Sequence, residues 1–88
     1  MDRREIIEKV AAGLRRMEKK PDYLLFLKFH TKDDYVYDNE EICGIKVIHT
    51  DEWLLRNDDK DCPFYPCWNQ EGDYSNEAYT FRRGYDEA

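Results

Sequence analysis

The chain has 88 residues, of which 41% are hydrophobic and 39% charged, with a formal net charge of −6. Aromatic residues reach 15%, which excludes the composition of an intrinsically disordered chain, where high charge goes with few aromatics. The length sets one small domain over residues 1–88, above the size at which a core needs a metal or a disulfide to survive.

The first predicted element is an amphipathic helix over residues 3–19. Ile6, Val10, Leu14 and Met17 recur at helical spacing, and Ile7 and Ala11 widen the stripe. Asp2 is the expected N-cap, with Glu5 three positions on as in a capping box. Arg15, Arg16, Lys19 and Lys20 crowd the last turns, where cations complement the helix dipole, and Pro21 stops the helix.

YLLFLKF, residues 23–29, predicts a strand. Tyr23, Leu25, Leu27 and Phe29 share one face and Leu24 and Phe26 the other, so it is expected to be central in its sheet. TKDD at 31–34 is turn-forming and YVY at 35–37 resumes a β pattern, which together predict a hairpin. DNEE at 38–41 reads as the next turn. ICGIKVIHT, residues 42–50, predicts a third strand with Cys43, Ile45, Val47 and His49 toward the core and Gly44, Lys46, Ile48 and Thr50 outward.

Thr50 or Asp51 can cap a short helical turn through EWLLR, with Trp53 and Leu54 docking on the sheet. Residues 57–77 are rich in turn formers and read as a long irregular loop held by Phe64, Tyr65, Trp68 and Tyr74. AYTFRRG, residues 78–84, alternates as a last strand, followed by a fraying tail. The predicted fold is α+β: an N-terminal amphipathic helix packed on a three- to four-stranded antiparallel sheet, with the loop 57–77 closing one end.

Charge is unevenly distributed along this plan. Residues 1–32 hold nine Lys or Arg against five Asp or Glu, a balance of +4; residues 33–88 hold five against fifteen, a balance of −10. A domain that binds nucleic acid directly neutralises phosphates with a basic field, so no direct nucleic-acid contact is expected. The charged N-terminus and the lack of a long apolar run predict no membrane association and a cytoplasmic protein. Three cysteines, an odd number, fit a reducing compartment.

Cys62 and Cys67 have a spacing that two ligands of a structural zinc can adopt, with Cys43, His30 and His49 as the remaining donors. That pair has no second pair to complete it, so no metal is assigned, and Cys62 and Cys67 stand only as candidates. A nucleophilic thiolate needs a lowered pKa, whereas Asp58, Asp59 and Asp61 beside Cys62 act in the other direction. Four scattered glycines make no phosphate loop. No enzyme activity and no cofactor are expected.

The remaining feature is acidic. Asp33, Asp34, Asp38, Glu40 and Glu41 bracket Tyr35 and Tyr37, a mixture suited to a basic protein surface: tyrosine supplies contact area and carboxylates steer encounter. The composition is similar to that of small acidic phage-borne inhibitors that mimic nucleic acid, a likeness that covers no motif. The sequence therefore points to a non-catalytic interaction protein binding a basic partner through those seven residues. A small zinc domain using Cys62 and Cys67, and a soluble globular domain whose acidity only serves solubility, are the other readings.

Overall fold

The computed structural model describes residues 2–27, 37–50 and 62–88. The turn at 31–34, Phe29, His30 and the helical turn through Trp53 lie outside them. The described chain forms helix α1 (Arg3–Arg16), strands β1 (Tyr23–Leu27), β2 (Glu41–Ile42), β3 (Ile45–Thr50) and β4 (Phe64–Cys67), and helix α2 (Ser75–Glu87). The fold is α+β, with a four-stranded sheet in the order β2-β3-β1-β4.

Helix α1 follows its sequence signals closely. The Asp2 carboxylate accepts the Glu5 amide at 2.9 Å, which satisfies one of the orphan donors of the first turn. Ile6, Val10, Leu14 and Met17 are all buried. The helix ends at Arg16, short of Pro21, because Met17 turns to an extended conformation. The Lys20 ammonium then folds back and donates to the Leu14 and Met17 carbonyls left open at that end.

β1 is central, as its two-sided apolar pattern requires. Leu24 and Phe26 turn into the core shared with α1. Leu24 pairs with Val47 on one side and Pro66 on the other, and Phe26 with His49 and Phe64, so these residues line one face.

The sheet is mixed, not purely antiparallel: β3 runs parallel to β1. The cause is a turn inside the predicted third strand. Cys43 and Gly44 both have positive φ, 52° and 78°, the two-residue reversal that joins β2 to β3 as a hairpin. The chain reverses there, so β3 leaves in the direction of β1. Cys43 consequently sits exposed in the turn and not on the core face, while Ile45, Val47 and His49 keep the predicted side.

Two further expectations are corrected. Within the predicted loop 57–77, Phe64–Cys67 is a strand antiparallel to β1. The Pro63 and Cys67 carbonyls accept amides of the β1 side, from Leu27 at 2.8 Å and Asp22 at 2.9 Å. Phe64 and Pro66, of alternate parity, therefore turn their backbone outward, where the N–H that proline lacks is not needed by the ladder.

The predicted strand 78–84 and its tail are helix α2. Phe81 and Tyr85, one helical turn apart, are wholly buried, whereas strand alternation would have set them on one face with the exposed Tyr79. Asp73 makes a local turn just before the Tyr74 cap of this helix, its Oδ1 accepting both the amide and the hydroxyl of Ser75, at 3.1 and 2.6 Å.

The two helices form one layer and touch backbone to backbone. A Cβ on Gly13 would lie 2.6 Å from the Phe81 carbonyl oxygen, and one on Gly84 would lie 2.7 Å from the Gly13 Cα. Only glycine allows this approach. The ring cluster of Phe26, Tyr37, Phe64 and Tyr85 fills the space between the helix layer and the sheet, with centroid separations of 5.1 to 6.3 Å.

Candidate interaction site

The predicted partner-binding residues divide into three groups. Asp33, Asp34 and Tyr35 lie outside the described residues. Asp38, Glu40 and Glu41 are exposed along the approach to β2 and its first residue. Tyr37 is not at the surface: it is 5% exposed, its hydroxyl donates to the Glu41 carbonyl, and its ring is stacked on His49. Burial pushes its phenol up from the ordinary value, as expected for a group kept neutral in the core.

Tyr37 therefore anchors the acidic segment from the core side. His49 assists by donating its Nε2 hydrogen to the Asn39 carbonyl at 2.8 Å, which ties the segment to β3. The Arg3 guanidinium reaches both Asp38, at 2.8 Å, and the Asn39 side chain, at 3.2 Å. This cation was not apparent in the sequence, because it comes from a helix 35 positions earlier. Among the described residues Glu40 and Glu41 have no ion pair, although Glu41 stands opposite Lys46 in the β2–β3 register.

Much of the basic N-terminal charge is used within the fold. Arg16 pairs with Glu87 at 2.5 Å. Lys9 donates to the Tyr85 and Ala88 carbonyls at 3.4 and 3.1 Å, at the C-terminal end of α2 where the helix dipole favours a cation. Lys19 lies 4.8 Å from the Tyr74 ring and donates to its hydroxyl at 3.1 Å. The imbalance of the sequence is partly an attraction between α1 and the C-terminal segment.

The cysteine pair is not brought together. Cys62 is fully buried in the core, with its thiol donating to the Phe64 carbonyl at 3.5 Å. Cys67 is half-buried and stands across from Tyr23. Cys62 precedes β4 and Cys67 ends it; were the whole stretch extended, five positions would set the two sulfurs on opposite faces, roughly 16 Å apart along it. All three cysteines are reduced thiols. Among the described residues no three His, Cys, Asp or Glu gather as a metal site.

Burial pushes the Cys67 thiol up, away from the thiolate a nucleophile requires, and the neighbouring Cys67 followed by burial does the same to the Tyr23 phenol. The loop that follows is held as its aromatic content implies. Trp68 stacks on Tyr74 at 4.5 Å and 11°, and its indole N–H donates to the Lys20 carbonyl at 3.0 Å. The Asn69 amide meets the Asp22 carboxylate at 2.7 Å.

No protein-family model matches the chain, and comparison with curated proteins and with solved structures brings no match. Among the described residues no helix is long and apolar enough to cross a membrane.

Proposed function

We propose that the protein is a non-catalytic interaction module whose acidic strip binds a basic protein surface. The observation that supports this reading best is the strip at Asp38, Glu40 and Glu41. Three carboxylates are exposed on a segment pinned from beneath by Tyr37 and His49, and among the described residues only Asp38 has an ion pair there. A fixed row of carboxylates binds a cationic partner with less ordering cost than a mobile one. It also steers encounter through a field that salt screens. Asp33, Asp34 and Tyr35, adjacent in sequence, extend the same chemistry, and inhibition of a nucleic-acid-binding protein through its basic groove is the form of this function that the acidity favours.

The test is titration against a set of basic nucleic-acid-binding proteins at increasing salt. Binding is expected to fall steeply with salt and to weaken about tenfold or more in the Glu40→Lys, Glu41→Lys double variant at low salt. Replacement of Asp33, Asp34 and Tyr35 together tests the remainder of the strip. Binding that ignores salt and both variants would remove the acidic surface from the function.

A further inference from the structure

We propose that the groove between the outer edge of β4 and helix α2, at the opposite sheet edge from the acidic strip, binds a proline-rich peptide in the polyproline II conformation that carries a basic residue at one end. The groove has a volume of about 240 Å³, with Phe64 and Pro66 on one wall and Tyr79 and Arg82 on the other. A second hollow of about 410 Å³ shares Tyr65, Pro66, Ser75 and Ala78 with it and continues to Tyr23 and Asp73. The two make one continuous path around the edge of β4.

Three observations select the occupant. The first is the backbone. β4 is a sheet edge, and edges ordinarily recruit a further strand through outward N–H and C=O groups. Among the described residues nothing pairs with the outer side of β4; its outward positions are Phe64 and Pro66, and Pro66 offers no donor, so an added strand meets a broken ladder. A polyproline II ligand needs no such ladder: it docks by fitting proline ridges between aromatic rings, in a conformation it already holds when free.

The second observation is the rings. Tyr79 is 60% exposed at the groove wall, the largest exposure among the large apolar and aromatic side chains of the described residues. Tyr65 stands half-buried beside it. The far wall is already rigid, since the Trp68–Tyr74 stack is fixed by the Lys20 carbonyl and the Lys19 ammonium. A wall set in advance reduces the cost of docking.

The third is charge. Asp73 lines the second hollow, its Oδ1 taking both Ser75 bonds while Oδ2 has none among the described residues, and exposed Glu71 lies two positions before it. Arg82 lies on the groove and Arg83 reaches over Tyr79 at the other end, 5.8 Å from its ring. This polarity orients the ligand: prolines at Tyr79 and Tyr65, the cation at Asp73.

The experiment is a heteronuclear NMR titration of the full chain with a synthetic oligoproline peptide ending in arginine. Its controls are the same peptide with glycine and serine in place of proline, and the oligoproline ending in glutamate. Saturable shifts at Tyr65, Ala78 and Tyr79 are expected with the arginine-ended oligoproline alone. Tyr79→Ala should weaken binding about tenfold, and because the side chain is exposed the remaining spectrum should stay that of the folded protein. Asp73→Asn should abolish the preference for arginine over glutamate. The Glu40→Lys, Glu41→Lys variant should bind the peptide normally, which separates this groove from the acidic strip. Shifts elsewhere, equal shifts with the glycine-serine peptide, or undiminished binding by Tyr79→Ala would overturn the proposal.

Discussion

β2 and β4 lie at opposite edges of one sheet and close those edges by different means. β2 has two residues, is entered through Glu40 and Glu41, and turns straight back through Cys43 and Gly44. Its shortness and charge leave little backbone for another chain to pair with. β4 has four residues, apolar ones among them, and relies on Pro66 and on the groove-forming helix α2 beside it. The acidic edge repels unselected strands and attracts cations; the proline edge refuses strands yet presents rings. The two surfaces proposed for recognition are thus kept a full sheet width apart.

The largest expected effect breaks the β4 edge. Phe64 is 2% exposed and meets the rings of Phe26, Tyr37 and Tyr85, so Phe64→Ala should cost about 3–5 kcal/mol in urea unfolding. Ile42→Ala, the counterpart on β2, should cost less, because Ile42 brings no ring to that cluster. The reverse order would mean that β2, not β4, is the structural edge.

A smaller effect tests the turn that makes β2 an edge at all. Gly44 has φ +78° with open space around it, so Gly44→Ala should cost about 1–2 kcal/mol through backbone strain alone, read as a lowered melting temperature. A variant as stable as the original would remove the positive-φ hairpin.

The smallest effect is electrostatic and belongs to the β4 side. The two Ser75 bonds hold the Asp73 carboxyl below its ordinary 3.8. A carboxyl lowered in the fold adds stability above its unfolded pKa, and that contribution fades as pH falls through the folded value. Asp73→Asn should therefore narrow the stability difference between neutral and strongly acidic solution, the variant being the less stable at neutral pH and the two proteins converging at the acidic end. Unfolding curves of both proteins across that range check it.

What could be read in the sequence follows the range of the interactions involved. The α1 stripe and the Asp2 cap depend on neighbours three and four positions away, and both are found as expected. The central place of β1 follows from leucines and phenylalanine on both its faces. The Cys43–Gly44 turn was hidden because Gly44 also fits an outward strand position. β4 was hidden by its prolines, which are acceptable only because the strand is an edge, a property of the whole sheet. α2 was hidden by the alternation of Ala78 to Phe81, when the deciding spacing was Phe81 to Tyr85.

The acidic strip was legible as composition, but its anchoring was not. Tyr37 looks like a surface tyrosine between carboxylates, whereas Phe26, His49 and Phe64, from three different strands, take it into the core.

The glycine contact between the helices also bears on when the molecule can form. Lys9 and Tyr85 are hydrogen-bonded partners 76 positions apart, and Gly13 meets Gly84 across a similar span. The apolar stripe of α1 appears first in the chain but gains its helical neighbour only when the final described element arrives. Distant closures of this kind come late and slow folding relative to local contacts. During synthesis, then, the Gly13 face of α1 waits for a partner at the other end of the polypeptide, and a chain cut short before Ser75 leaves that face without its cover.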